Sequence, residues 1–250
     1  MSELAVLHLN RLHPRFAIIC GDFVHHLPEI YPQFDPSVRE RQIRDIKAVY
    51  SKVHESVPLI CVCGNHDVGN VPNATTINRY KNDWGDDYFS FWVDGLCGIA
   101  INSSVIHAAS KAAPFFEEQL AWLERTLQDA ATRNPTHIVI FSHHPFFLKK
   151  AEETEEDLDP GDDYFVIKKE VRLQYLELFK RFNVHFIFAG HLHRNAVAHS
   201  EEYGITNVTT TAVGRQLGSD QSGFRVVWVN QDSIKHTYFS FDQLNSLQSL

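Results

Sequence analysis

Four short apolar runs each end in a cluster of side chains able to bind a metal, and this ordering constrains the fold more than any other feature of the chain. Residues 15–20 run into Gly21-Asp22, and residues 58–63 into Gly64-Asn65-His66-Asp67. Residues 136–142 run into His143-His144-Pro145, and residues 184–189 into Gly190-His191-Leu192-His193. Runs of this length, rich in Val, Ile and Phe, read as buried strands, as do residues 88–93 and 96–101. Helical periodicity marks residues 37–54, 115–131 and 166–182. Strands alternating with helices predict an α/β domain. Ligands of open α/β sheets bind at the carboxyl ends of strands, so the four clusters are expected to converge. Glycine before three of them permits the sharp exit from the strand. Past His193, runs at 205–210, 224–229 and 234–239 predict antiparallel hairpins adding to a sheet.

With 250 residues, 44% of them hydrophobic, the chain can enclose one large core, and residues 1–250 are read as one domain. A formal net charge of −8 argues against a nucleic-acid binder, because affinity for a phosphate backbone rests on clustered Lys and Arg. An anionic substrate therefore needs local positive charge, which a divalent metal supplies. The four cysteines, Cys20, Cys61, Cys63 and Cys97, are too few and too dispersed for a disulfide framework, so a reducing, cytoplasmic location is expected. They are assigned no chemistry. No cationic leader and no run of about 18 apolar residues occurs, so no membrane span is expected. The acidic stretch 152–163 reads as a solvated insertion, with a lid beside the site as the alternative.

A carboxylate, a carboxamide oxygen and several imidazoles, without sulfur, form a donor set suited to Mn, Fe or Zn. Two such metals about 3.5–4 Å apart make a clamp for in-line attack on phosphorus. The ordered set Gly-Asp, Gly-Asn-His-Asp, His-X-Pro and Gly-His-X-His resembles the calcineurin-like metallophosphoesterase superfamily. Within it the chain is similar to a cytosolic serine/threonine phosphatase subgroup, through residues 64–70 (GNHDVGN), 84–92 (WGDDYFSFW), 190–195 (GHLHRN) and 214–218 (GRQLG).

The resemblance implies a sandwich of two mixed β-sheets flanked by helices, in the order α/β/β/α. It implies that Asp22 bridges two metals, that Asn65, His143 and His191 complete the second, and that His193 ligates the first. His66 would protonate the leaving oxygen for a metal-activated hydroxide, and Asp67 would hold its imidazole. Asn65 would contact the substrate phosphate, and the fork geometry of guanidinium makes Arg194 and Arg215 candidates to grip it, with solvated or structurally paired arginines as the alternative. His144 is read as structural, and His25 either as a support of the site or as a surface residue. The superfamily's first motif, Asp-X-His or Asp-X-Gln on the first strand, is absent, since the only acidic side chain before Asp22 is Glu3. His8 and His13 fall in a predicted helix that enters the first strand at its far end, so neither replaces it. The expectation is an N-terminally incomplete domain lacking its first strand, with the second metal site filled and the first weak or empty. The expected substrate is a phosphoprotein or other phosphoester. A phosphodiesterase of small molecules or cyclic nucleotides, and a catalytically impaired metal-binding interaction module, are the alternatives.

Overall fold

The structure is a computed structural model that describes residues 1–246. Its main sheet has six strands in the order β3-β4-β5-β6-β8-β7, comprising β3 (Phe89–Val93), β4 (Leu96–Ala100), β5 (His137–Phe141), β6 (Val184–Ala189), β8 (Ile205–Thr209) and β7 (Ala196–Ser200). The central run β4-β5-β6-β8 is parallel, and the edge strands β3 and β7 are antiparallel to it. Alternation of side chains sorts the two faces. Cys97, Ile99, Ile138, Ile140, Ile187 and Ile205 point into the largest core, beneath α6 (Ala113–Thr132) and α7 (Lys169–Arg181). Leu96, Ala100, Val139, Phe141, Phe188 and Val208 line the opposite face.

Against that second face lie β1 (Ala17–Cys20) with β2 (Leu59–Val62), paired in parallel, and β9 (Gly223–Val229) with β10 (Ile234–Ser240), paired antiparallel. Phe16, Ile18, Val62 and Ile234 face the six-stranded sheet. Ile19, Cys61 and Cys63 face outward, toward α2 (Ser37–Tyr50) and α4 (Ala74–Trp84), where Ile43, Ile46, Tyr50, Tyr80 and Trp84 cover them. The order of layers is therefore α/β/β/α, as expected. The second β layer, however, is two separate two-stranded ribbons rather than one sheet, because among the described residues no strand hydrogen-bonds to both.

The remaining helices are short or terminal. They are α1 (Ser2–Leu12), α3 (Asn65–Val68), α5 (Ser103–His107) and α8 (Phe241–Ser246). Helix α4 lay outside the periodic segments read from sequence, although Asn73 caps it by accepting from the N–H groups of Thr75 and Thr76, a local signal present in the chain. In the tail β7 and β8 form an antiparallel hairpin that adds to the main sheet with β8 parallel to β6, as expected of hairpins there, while β9-β10 is a separate hairpin. No helix among the described residues is long and apolar enough to cross a membrane.

The acidic stretch is not merely solvated. Its root is pinned by buried Glu153, whose carboxylate accepts from the N–H groups of Leu148, Lys149 and Lys150. Buried Arg172 donates to the carbonyls of Ala151 and Glu153. At its far end Asp162 is buried against Arg194.

Candidate metal centre

The parallel pairs β1-β2 and β5-β6 end at the same edge of the two layers, and their loops bring Asp22, Asn65, His143 and His191 together. Two glycines make the approach possible. A Cβ on Gly64 would stand 2.2 Å from Asp22 Oδ1, and one on Gly21, whose φ is +92°, would stand 2.6 Å from His143 Nδ1. Asp22, His191 and His193 themselves adopt left-handed backbone, with φ of 59°, 62° and 55°. That conformation is disfavoured for residues with a Cβ and survives where the surroundings over-determine it, as at functional sites.

The donor atoms crowd around one imidazole nitrogen. His143 Nε2 lies 3.0 Å from Asn65 Oδ1, 3.0 Å from His191 Nδ1 and 3.3 Å from Asp22 Oδ2. His143 Nδ1 is 2.6 Å from the carbonyl of Cys20, which can only accept, so Nδ1 carries a hydrogen and Nε2 is the nitrogen that faces the cluster. A proton on Nε2 would satisfy one of its three neighbours. Asp22, His143 and His191 offer ligand atoms all within 4.8 Å of one another, the one such group of three among the described residues. The buried atoms His191 Nε2 and His193 Nδ1 have no hydrogen-bond partner. Converging acceptors and orphaned nitrogens fit a bound divalent cation.

Electrostatically, Asp22 and His143 form a tightly interacting pair. Burial, the largest single influence on Asp22, would raise its pKa, but the charge and hydrogen bond of His143, with His66 and His191, hold it well below the usual carboxylate range. For His143 burial works downward, and the Asp22 charge carries it up. Burial keeps His191 and His144 well below the ordinary histidine value, which suits neutral, lone-pair-bearing rings. Cys20 contributes its carbonyl alone, since burial pushes its thiol up to about 12.

His66 stands beside this group, with its backbone N–H donating to Asp22 Oδ1 at 3.0 Å. Its ring is not held by Asp67, which corrects the expectation from sequence. Asp67, fully buried, accepts from the N–H groups of Asp22 (2.7 Å), Gly64 (2.8 Å) and Phe23 (3.1 Å), tying the loop after β1 to the loop after β2. Burial, then the Asp22 charge, push its pKa up to about 7 against those donors. The support of His66 is the carbonyl of His25, 2.7 Å from Nδ1, and the His25 ring stacks at 5.1 Å. A main-chain carbonyl leaves no trace in sequence, although His25 itself was flagged.

His193 lies outside the group of three, its carbonyl fixed by Thr211 and Leu217. His144 packs behind His191 at 4.2 Å and bonds Ser103. Arg194 is engaged by Asp162, while Arg215 is exposed and close enough to His25 to depress its pKa, after burial and His66. The feature missed altogether is Tyr164. Its hydroxyl lies 3.3 Å from Asn65 Nδ2, delivered from a segment distant in sequence.

The profile of the calcineurin-like phosphoesterase family matches residues 4–195. The chain belongs to that family. It is accordingly a phosphoester hydrolase, of a family that uses divalent metals. A serine/threonine-protein phosphatase CPPED1 of Danio rerio is 38% identical over 98% of this chain and 75% of its own length. The Homo sapiens protein of that name is 37% identical over 98% of the chain and 74% of its own length. Among solved structures, a dimetal phosphatase from Danio rerio superposes with a TM-score of 0.60 at 14% identity, covering 84% of this chain and 76% of that one. A purple acid phosphatase from yellow lupin seeds gives 0.63 at 13% identity, covering 96% and 47%. At such identities these two show the shared fold alone.

Proposed function

We propose that this chain removes phosphate from phosphoserine or phosphothreonine in proteins, with Asp22, Asn65, His143 and His191 holding one divalent cation and His66 protonating the leaving oxygen. The observation that carries the reading is the set of acceptor atoms converging on His143 Nε2 within 3.3 Å, with His66 tethered to Asp22 beside it. The names of the CPPED1 relatives support the substrate class. A carboxylate, a carboxamide and two imidazoles suit Mn, Fe or Zn. When bound, the cation supplies positive charge that polarises a phosphoryl oxygen and acidifies water.

The residues do the rest. His143 is aimed by the Cys20 carbonyl and His191 by packing against His144. His66, its Nδ1–H directed to the His25 carbonyl, turns its other nitrogen toward the ester and gives a proton to the departing alcohol. Arg215, with no ion-pair partner among the described residues, is the guanidinium available to a phosphate oxygen, whereas Arg194 must first release Asp162. Asp22, His143 and His191 form the one group of three possible ligands among the described residues, and His193 lies outside it, so one tightly held cation per chain is expected. Four unpaired cysteines favour a cytoplasmic setting. We read residues 1–250 as one phosphoesterase domain.

The test is turnover of Mn(II)-loaded protein on phosphoserine and phosphothreonine peptides, compared with bis(p-nitrophenyl) phosphate and cyclic nucleotides. Preferred cleavage of the diesters would overturn the substrate class. His66→Ala should lower kcat about 10²- to 10⁴-fold, the range for general acid catalysis, and an unchanged kcat removes it from that role. The scarcity of donors for a second cation favours one other reading, a metal-stabilised interaction module. One metal per chain by elemental analysis, with no turnover of any ester, would establish that instead.

A further inference from the structure

We propose that Tyr164 is a positioning residue for Asn65, fixing its carboxamide with the oxygen toward His143; the inference rests on the reading of Asn65 as a metal ligand. A carboxamide serves a cation only through its oxygen, and the two ends of the group have nearly the same shape, so something must choose between them. Here Asn65 Oδ1 points to His143 Nε2 at 3.0 Å, and Nδ2 faces two oxygens, Asn70 Oδ1 at 2.8 Å and the Tyr164 hydroxyl at 3.3 Å. The hydroxyl accepts from Asn65 Nδ2 and directs its own hydrogen to Asn70 Oδ1 at 3.5 Å. Every donor in this triangle meets an acceptor. Turning the amide over would set Asn65 Oδ1 against the Asn70 oxygen and present to the cation site an NH₂ group, which has no lone pair with which to ligate.

The placement of Tyr164 is built rather than incidental. The side chain is 44% exposed, yet its hydroxyl is directed inward to Asn65. Its ring lies 5.3 Å from that of His191, so one side chain braces two of the four converging residues. The segment leading to it is anchored at Glu153 with Arg172 and again, two residues before Tyr164, at Asp162 with Arg194. Arg194 thus reaches the site indirectly, by holding the turn from which Tyr164 extends.

The experiment is Mn(II) titration calorimetry of the metal-stripped full chain, with turnover of p-nitrophenyl phosphate measured across Mn(II) concentrations. Tyr164→Phe keeps the ring and deletes the hydroxyl. It should weaken Mn(II) binding about tenfold, the lower end of what loss of a ligand's supporting hydrogen bond costs, with kcat largely restored at saturating Mn(II) and thermal stability of the metal-free protein unchanged. Asn70→Ala should shift affinity in the same direction, and Asp162→Asn, remote from the cluster, should do so to a smaller degree. Unaltered Mn(II) affinity in Tyr164→Phe, while Asn65→Ala binds weakly, would overturn the role of Tyr164 and spare the metal assignment. Unaltered affinity in both variants would overturn both.

Discussion

The two sides of the metal centre are built differently. His143 and His191 stand at the ends of β5 and β6, each paired along both edges within the six-stranded sheet, and four of the five β5 residues are buried. Asp22 and Asn65 stand at the ends of β1 and β2, which pair only with each other among the described residues, and every residue of β1 is half-buried. The less enclosed side nevertheless delivers its oxygens as closely as the sheet delivers its nitrogens. Where packing on both faces fixes the histidines, a buried carboxylate fixes the ribbon, with Asp67 collecting N–H groups from both loops. Precision at a site can therefore come from one polar hub where close packing is not available.

The comparison is broken most directly at that hub. Asp67→Ala strands three N–H groups and should destabilise the protein by about 3–5 kcal/mol, with loss of Mn(II) binding, in chemical denaturation and calorimetry. A variant that still binds Mn(II) normally would show that the ribbon holds its geometry without the hub. On the sheet side, Ile140→Val beneath α6 should cost only about 0.5–1.5 kcal/mol and leave Mn(II) affinity unchanged, because the paired strands keep their register.

The smallest effect sharpens the contrast from the ribbon side, where α1 packs on α2 and α8. His8 of α1 is buried and stacked at 5.7 Å on Phe241 of α8, and burial, then Arg11, lower its pKa from the ordinary 6.5. The folded protein thus binds this proton less readily than the unfolded chain. The His8 contribution is fully present above about pH 6.5 and is lost as the pH falls through the folded value. Amide exchange in α1 and α8 should accelerate in mild acid while β5 and β6 are unaffected, and His8→Leu should abolish the difference.

Much of this was legible before folding. Short continuous apolar runs announced β1, β2, β5 and β6, and the glycines announced sharp exits from three of them. The order of donors along the chain matched their arrangement around one edge of the layers. Other features carried too little local signal. Helix α3 is a single turn inside a motif, and the parallel pairing of β8 with β6 carries no mark in the run itself. The resemblance implies that Asp67 serves the ring of His66, whereas the turn after β2 directs it to the backbone of the neighbouring loop.

By itself, then, the sequence determined which atoms could bind a metal and at which strand ends they would sit, since side-chain chemistry and alternation are local properties. Only the tertiary structure decided which nitrogen of His143 faces the cluster, that the His25 carbonyl supports His66, and that Tyr164 meets Asn65 across 99 residues of chain. Those choices rest on main-chain groups and on contacts between distant segments, and a main-chain carbonyl is identical at every position until folding gives it a neighbour.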